Sequence, residues 1–294
     1  MIEIKHLNNC SFQTAVEIWN RGFEGYAVNL TQTLDSLLAR IISHGISVTD
    51  SLIAFLDNAP VGFLLNGLRT SGDTRIAWNG GTGVVPELRG TGIGKKLVEA
   101  AIDLYEERSV DIAMLEALSD NESAIRLYSS CGYKVSDWLT FLRHDDVLRD
   151  WITPSTSERY RAVPVAPAAI GKLAFYYKSA PWQAQWESVA LAGGESLVVL
   201  DAAGVQTGYA LFKKRFAPEG NIESIGLFQC EVAPGRTDAD QIALFTLRSV
   251  FEPQLGKVRR SGVNLRKSNE LVVKLLGEAG FTTFVEQAHM VRKF

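Results

Sequence analysis

Apolar positions near the start of the chain first alternate with polar ones and then recur at helical spacing. The alternation over residues 2–7 predicts a short strand, and the apolar stripe over residues 12–23 predicts an amphipathic helix. A second stripe over residues 31–44 predicts another helix, with Thr31 as its cap and Gly45 as its stop.

Three β-type runs follow, over residues 51–56, 61–68 and 76–85, separated by turns rich in Asp, Asn and Gly. Because short polar turns join antiparallel neighbours, these runs predict a three-stranded antiparallel sheet. The third run leads directly into a glycine-rich loop, and residues 92–108 after this loop predict a helix.

Beyond this helix the pattern is again strand, helix, strand. Residues 111–117 predict a strand parallel to the one that ends at Val85, residues 121–131 predict a helix that ends at Gly132, and residues 133–143 predict a last strand. The predicted order is therefore β-α-α-β-β-β-α-β-α-β.

The glycine-rich loop is the most informative stretch, with three alternating glycines between a β-branched run and a helix. Gly90, Gly92 and Gly94 leave the backbone free of Cβ atoms, so that consecutive N–H groups can turn toward an anion. The helix that follows adds its own unpaired N–H groups and the positive end of its dipole. This pattern predicts a pyrophosphate-binding loop.

Two common phosphate loops do not fit the spacing. A P-loop needs a glycine five residues before its Gly-Lys pair and a Ser or Thr after the lysine, whereas this chain has Arg89 and Lys96 there. A dinucleotide-binding loop needs G-x-G-x-x-G, whereas the glycines here follow G-x-G-x-G.

The loop instead resembles the R/Q-x-x-G-x-G/A motif of the GNAT acetyltransferase superfamily. The resemblance implies that the loop holds the pyrophosphate of acetyl-CoA, with Val84 and Val85 offering backbone groups to the pantetheine arm and polarising the acetyl carbonyl. The loop residues to which it assigns cofactor binding are Arg89, Gly90, Thr91, Gly92, Ile93, Gly94 and Lys95.

A second GNAT-like motif lies in the expected place. The segment 121–133 resembles the N-x-x-A-x-x-L-Y-x-x-x-G-F/Y signature. The resemblance implies that Asn121 contacts CoA and that Tyr128 protonates the departing CoA sulfur, and a phenol with a pKa near 10 is protonated at neutral pH. Ala124 and Leu127 are predicted to pack against the sheet, and Asn121 also suits a helix cap.

Glu116 is the candidate general base, because an ammonium acceptor must lose a proton before it attacks. Its segment, Leu115-Glu116-Ala117, resembles the L-E-V segment of ribosomal-protein N-terminal acetyltransferases. That motif continues with Arg where this chain has Leu118, so peptide specificity does not follow; an alternative role for Glu116 is a surface carboxylate on a strand. Glu24 and Asp120 are weaker candidates.

The acceptor is not identified by the sequence. Four aromatic residues near the expected cleft are candidates for an acceptor pocket, although core packing is favoured for the first two: Trp19, Phe23, Tyr26 and Trp78.

The second half of the chain repeats the landmarks of the first half. Asn269 follows Asn121 by 148 positions (269 − 121 = 148), and Pro234 follows Pro86 at the same offset. In the second copy Gly92 becomes Asp240 and Tyr128 becomes Leu276. Thr237 replaces Arg89, Ile242 replaces Gly94, and Asp238 adds a second carboxylate, so that two like charges oppose a pyrophosphate.

These patterns predict an α/β (α+β) protein of two tandem GNAT-like domains, each a splayed mixed sheet with helices on both faces. We expect a catalytic domain over residues 1–146, a linker over 147–159 and a degenerate domain over 160–294. The length of 294 residues suits two domains.

Composition limits the classes of partner. The net charge of −3 and the absence of long basic runs give no indication of nucleic acid, and no apolar run approaches membrane-spanning length. Three scattered cysteines and four scattered histidines predict neither disulfides nor a metal site and favour a reducing cytoplasm.

The resulting hypothesis is an acetyl-CoA-dependent N-acetyltransferase that acts on a primary amine of a small molecule or peptide by direct attack. The alternative is a catalytically silent acyl-CoA-binding protein that recruits a partner through its second half. A homodimer formed through that half is a further possibility.

Overall fold

The computed structural model describes residues 1–26, 29–148, 159–252 and 257–294. These residues form two compact units, which we call unit 1 (residues 1–136 and 288–294) and unit 2 (residues 137–287).

Unit 1 contains four helices around a mixed sheet whose strands are ordered β1-β2-β3-β4-β5-β12. The helices are α1 (Phe12–Gly22), α2 (Leu34–His44), α3 (Ile93–Glu107) and α4 (Glu122–Ser130). The strands are β1 (Ile2–His6), β2 (Ile46–Leu56), β3 (Ala59–Ser71), β4 (Thr74–Val84), β5 (Ile112–Leu118), and the end of β12 (Thr282–Lys293).

The predicted helices and the first five predicted strands are therefore present in unit 1, with β2 beginning earlier than predicted, at Ile46. The predicted last strand, over residues 133–143, is the strand Lys134–His144, most of which belongs to unit 2. One helix cap also differs. The cap of α2 is Thr33 rather than Thr31: the Thr33 side chain accepts the Ser36 N–H, and the Ser36 hydroxyl accepts the Thr33 N–H. This reciprocal capping box satisfies two donors at once, which Thr31 cannot do from outside the first turn. Gly45 ends the helix in the left-handed conformation, as predicted.

The sheet of unit 1 splits between its two parallel strands. β4 pairs with β5 from Ile76/Ile112 to Asn79/Leu115, and both strands continue beyond that last pair, to Val84 and Leu118. At the same level the pairing of β3 with β4 skips Gly80, which marks a β-bulge. The bulge turns β4 away from β5 and opens the crevice that the GNAT resemblance implies.

Residues 288–294 complete unit 1, although they come from the end of the second repeat. Arg292 Nη1 donates to the Cys131 carbonyl at 2.6 Å, and the Phe294 N–H donates to the Asp111 carbonyl at 3.1 Å. The predicted domain bounds of 1–146 and 160–294 stay predictions. Residues 149–158 of the predicted linker lie outside the described residues.

Unit 2 repeats the plan with strands ordered β6-β11-β10-β9-β8-β7. The strands are β6 (Lys134–His144), β7 (Tyr160–Val165), β8 (Glu195–Asp201), β9 (Gln206–Phe216), β10 (Ile222–Val232) and β11 (Arg259–Arg266). The helices are α5 (Pro167–Ile170), α6 (Trp186–Leu191), α7 (Ala239–Phe251) and α8 (Glu270–Glu278).

The offset of 148 recurs in the backbone. The pairing of β9 with β10 skips Phe228, the counterpart of Gly80, and the parallel pairing of β10 with β11 stops at Leu227, the counterpart of Asn79. Asn121 and Asn269 cap α4 and α8 with nearly the same angles, φ −85° with ψ 66° and φ −85° with ψ 65°. The two halves therefore share the bulge and the split as well as the sequence landmarks.

Among the described residues, no helix is both long enough and apolar enough to cross a membrane.

Candidate active site

The split in the sheet of unit 1 opens into a cleft of about 510 Å³. Its described lining comes from α1 and the turn after it, from β4, from the glycine-rich loop and from α4. The lining residues are Gly22, Phe23, Tyr26, Thr82, Gly83, Val84, Leu88, Arg89, Gly90, Gly92, Gly94, Lys95, Asn121, Ser123, Ala124, Leu127 and Tyr128.

The backbone of the loop has the form that an anion site requires. Gly90 and Gly92 have φ of +77° and +92°, and an added Cβ at either would meet no atom within 4 Å. These two positions are therefore glycine because of backbone angle, not because of crowding.

The start of α3 supplies donors to this loop. The Lys96 N–H donates to the Gly92 carbonyl as the first bond of the helix. The backbone N–H groups of the preceding turn, from Ile93 to Lys95, consequently have no partner within the helix, and they lie at the positive end of its dipole. An anionic group in the cleft would meet these donors.

Arg89 shapes the loop through backbone carbonyls. Its guanidinium donates from Nε to the Val84 carbonyl at 3.1 Å and from Nη2 to the carbonyls of Gly22 and Glu24 at 3.1 Å and 2.6 Å. These bonds join the end of β4 to the end of α1. Arg89 therefore positions two walls of the cleft in addition to contributing positive charge.

The other predicted cofactor residues occupy different environments. Val84 lines the cleft, whereas Val85 is buried and its N–H donates to the Val61 carbonyl at 3.0 Å. The Ile93 side chain is buried, so that only its backbone can serve a ligand. The Thr91 hydroxyl donates to the Leu88 carbonyl at 2.7 Å.

Lys95 and Asn121 both line the cleft. The Lys95 side chain is about half exposed, and its ammonium lies 3.7 Å from Glu99 Oε1 on the next turn. The Asn121 side chain accepts the Ala124 N–H at 3.1 Å, which confirms the predicted helix cap.

Tyr128 places a protonated hydroxyl at the split. Its side chain is buried, and Thr82 and Asn79, which hydrogen-bond each other, are the polar groups that act on its hydroxyl. Burial raises the pKa of Tyr128 to about 12, a rise that these two polar side chains oppose. The phenol is therefore neutral at physiological pH and able to donate its proton.

Glu116 lies just beyond the last pair of β4 and β5, but the described lining of the cleft does not include it. Its side chain is only 5% exposed. Trp78 Nε1–H donates to Oε2 at 2.8 Å, and His289 Nδ1 lies 3.3 Å from Oε1. Glu116 is thus a buried, held carboxylate and not the exposed strand carboxylate of the alternative interpretation.

The weaker base candidates do not join the cleft. The described lining includes neither Glu24 nor Asp120; the Glu24 carbonyl is a partner of Arg89, and Asp120 is exposed.

The aromatic candidates separate into two groups. Trp19 is buried and stacks on Phe63 with ring centroids 5.2 Å apart, which agrees with its predicted core role. Phe23 and Tyr26 contact each other and both line the cleft, whereas Trp78 is buried and bonds Glu116.

Sequence reasoning missed the polar neighbours of Tyr128 and the residues that contact Glu116. Asn79 and Thr82 flank a pair of glycines inside a strand, and such glycines signal a bulge or a close backbone approach. That signal could have identified the segment. No local signal could have identified His289, which lies 173 positions after Glu116 in the sequence (289 − 116 = 173).

The corresponding split in unit 2 is filled by its own side chains. Its remaining space is about 10 Å³. Arg266 Nη2 donates to Glu231 Oε1 at 2.6 Å, and the Arg266 guanidinium lies 3.4 Å from the Tyr177 ring centre. Asn269 Nδ2 donates to the Cys230 carbonyl at 2.9 Å, across the mouth of the split.

The segment of unit 2 that corresponds to the glycine-rich loop contains a carboxylate, Asp238. Arg236 donates to both oxygens of Asp238, and Tyr160 donates to Oδ2 at 2.7 Å. These bonds hold the pKa of Asp238 well below its usual range. Leu276, the counterpart of Tyr128, is fully buried in the core. Arg236 thus offsets the charge of one of the two carboxylates that the sequence suggested would repel a phosphate.

The fold and the cleft together form a split mixed sheet with a glycine-rich loop at its crevice. Residues 13–133 match the model of the Acetyltransferase (GNAT) family. This part of the chain is therefore similar to the GNAT acetyltransferases, and unit 2 repeats the plan of the same fold.

Two curated proteins are similar over part of the chain. N-alpha-acetyltransferase 30 of Saccharomyces cerevisiae is 35% identical over 77 residues, which is 26% of this chain and 44% of that protein. The same-named protein of Schizosaccharomyces pombe is 31% identical over 81 residues, 28% of this chain and 49% of its own length. The chain thus spans less than half the length of the curated relatives it matches.

Solved structures share the fold over the whole chain. A GCN5-related N-acetyltransferase from Sphaerobacter thermophilus has a TM-score of 0.65 at 13% identity, covering 99% of this chain and 95% of its own. A tandem GNAT protein from the clavulanic acid biosynthesis pathway has a TM-score of 0.61 at 12% identity, covering 100% and 98%. At these identities the likeness concerns the fold.

Among the described residues, no group of His, Cys, Asp or Glu side chains is arranged to hold a metal ion.

Proposed function

We propose that this protein transfers the acetyl group of acetyl-CoA to a primary amine of a small molecule or peptide, and that unit 1 carries the activity. The observation that carries the proposal is the meeting of the Tyr128 hydroxyl and the glycine-rich loop in one cleft of about 510 Å³. A protonated phenol and a row of backbone N–H groups are the groups that thioester cleavage and pyrophosphate binding require.

The loop residues fit acetyl-CoA as a co-substrate. Gly90 and Gly92 leave open space where side chains would otherwise stand, and the N–H groups at the start of α3 would bind pyrophosphate oxygens. Lys95 adds positive charge, and Arg89 supports the walls. The backbone of β4 at Val84 would contact the pantetheine arm and polarise the acetyl carbonyl.

The chemistry then needs one acid and one base. The amine attacks the thioester carbonyl, the C–S bond breaks, and Tyr128 protonates the leaving sulfur. The Glu116 carboxylate is buried beside the end of the β4–β5 pairing and does not line the cleft itself. It therefore accepts the proton of the ammonium group through an intervening water molecule.

The curated relatives favour including peptides among the acceptors. Both are named as N-alpha-acetyltransferases, but the similarity spans about a quarter of this chain. A small amine and a peptide amine therefore both belong in the test. A cytoplasmic location stays a prediction from the free cysteines.

The direct test is release of CoA thiol from acetyl-CoA in the presence of separate panels of small primary amines and of peptides with free N-termini. Acetylated product, identified by mass, is the expected result with at least one panel. Tight acetyl-CoA binding without transfer to either panel would contradict the enzyme and favour the silent acyl-CoA-binding alternative.

A further inference from the structure

His289 is a buried titratable residue that the chemistry above does not use. It lies near the end of β12, in the segment that completes unit 1, and its side chain is 1% exposed. Its Nδ1 is 3.3 Å from Glu116 Oε1, yet among the described residues neither ring nitrogen nor this carboxylate oxygen has a hydrogen-bond partner of good geometry.

Burial of an imidazole and a carboxylate without full pairing to other groups opposes folding. The trio of Trp78, Glu116 and His289 therefore requires an explanation. At the offset of 148 the corresponding residues are Gly226, Asn264 and Phe141, none of which changes charge near neutral pH. The trio occurs in the unit that keeps Tyr128 and is absent at the same positions of the other.

We propose that His289 is a positioning residue of the transfer reaction, holding the Glu116 carboxylate together with Trp78 and sharing the proton that this carboxylate removes. The proposal rests on the proposed acetyltransferase function and extends it. The Trp78 N–H fixes one carboxylate oxygen and the imidazole faces the other, so that the carboxylate has one orientation at the end of the β4–β5 pairing.

The proton balance follows from this arrangement. The acceptor ammonium loses one proton through water to the Glu116–His289 pair, and the N–H electron pair stays on nitrogen. The pair holds this proton between the carboxylate and the imidazole and returns it to water after the transfer. Nitrogen then bonds to the acetyl carbon, the C–S bond breaks and the sulfur takes the Tyr128 proton. The second amine proton, released as the amide forms, restores Tyr128.

Two further contacts are made by members of the trio. On β4, the Trp78 ring lies 6.1 Å from the His44 ring of α2. On β6, Ser136 Oγ donates to the His289 carbonyl at 3.3 Å. The signals of His44 should therefore be followed beside those of His289.

The first arm of the test does not depend on activity. The chain has four histidines, so that side-chain nitrogen NMR can assign His289 by its loss in His289→Gln. We expect Glu116→Gln to shift the side-chain nitrogen signals of His289, because it replaces the carboxylate that faces Nδ1 at 3.3 Å. Signals of His289 that are the same in wild type and Glu116→Gln would overturn the pairing.

The second arm measures transfer. His289→Gln and Glu116→Gln should each lower kcat at least about tenfold with KM for acetyl-CoA unchanged, and the double variant should lose no more than the worse single variant. His144→Gln in unit 2 is the matched control and should keep wild-type kcat.

The outcomes separate the two proposals. If the double variant loses the product of the two single losses in kcat, or if His289→Gln keeps the wild-type kcat, His289 has no role in the reaction. Either result would leave the proposed acetyltransferase function in place. Absence of transfer by the wild-type chain would remove the proposed function, and the role of His289 with it.

Discussion

The two units share a bulge, a split sheet and a capped helix at the same offset, yet one split holds a cleft of about 510 Å³ and the other about 10 Å³. The backbone pattern is therefore not what makes a binding site. The difference comes from side chains that enter the split, above all at two positions.

Gly83 lines the open cleft, and its counterpart Glu231 enters the closed one. Leu118 is replaced by Arg266, which pairs with Glu231. Burial raises the pKa of Glu231, and Arg266 opposes the rise. Unit 2 thus keeps the fold while an internal ion pair takes the space that a ligand has in unit 1.

The largest expected effect is on the stability of unit 2. Arg266→Leu restores the residue type of Leu118 but leaves the Glu231 carboxylate buried without its partner. Loss of one partner from a buried pair should lower the free energy of unfolding by about 3 kcal/mol. Urea denaturation measures this loss.

The control is Arg266→Leu combined with Glu231→Gln, which removes both charges and should recover part of the loss. Equal stability of the wild type and the single variant would show that the ion pair does not hold the split closed.

The second largest expected effect is the loss of kcat when Tyr128, the proposed acid, is replaced; its counterpart in unit 2 is Leu276. Tyr128→Phe should lower kcat about a hundredfold while acetyl-CoA affinity stays unchanged, because the phenol acts on the leaving sulfur. Since its pKa is raised to about 12, loss of the Tyr128 proton should not limit the rate near neutral pH.

Tyr133→Phe is the matched control, since its ring lies 6.0 Å from that of Tyr128 and burial also raises its pKa. A similar fall of kcat in both variants would indicate packing, and an unchanged rate in Tyr128→Phe would exclude it as the acid.

A smaller effect tests the phosphate loop. Lys95→Glu should weaken acetyl-CoA binding about tenfold, and more at low salt, because it reverses a charge at the cleft. Lys274→Glu in unit 2 is the matched control, because both lysines are exposed and each lies close to a glutamate four residues later in its helix. Equal affinities in the two variants would contradict a cofactor site in unit 1.

The smallest effect is the acid sensitivity of the replaced loop. The folded-state pKa of Asp238 is lowered, so that its contribution to stability is complete above the unfolded value of about 3.9 and is lost as pH falls below it. Asp238→Asn should shift the urea midpoint at about pH 7 and shift it less at about pH 3. A shift that does not shrink with acid would exclude a role for the charge.

Local features of the fold were predictable from the sequence, and long-range ones were not. The glycine loop and the Asn121 cap depend on neighbouring residues, so that spacing sufficed. The contacts of Arg89 with the carbonyls of Gly22 and Glu24, and of Glu116 with His289, join residues far apart in sequence, and no local pattern encodes them.

The degenerate half shows the same limit. Two carboxylates suggested repulsion of phosphate, but Arg236 neutralises Asp238, and the closure of the split depends on Arg266 meeting Glu231. The loss of the glycine motif in unit 2 could be predicted from the sequence. The side chains that fill its split, Arg266 and Glu231, could not.

The most direct test of the difference between the units is calorimetric titration of acetyl-CoA into the whole chain. We predict one site per chain, weakened by Lys95→Glu and kept in Lys274→Glu. Two sites per chain, or one site weakened by Lys274→Glu alone, would contradict it.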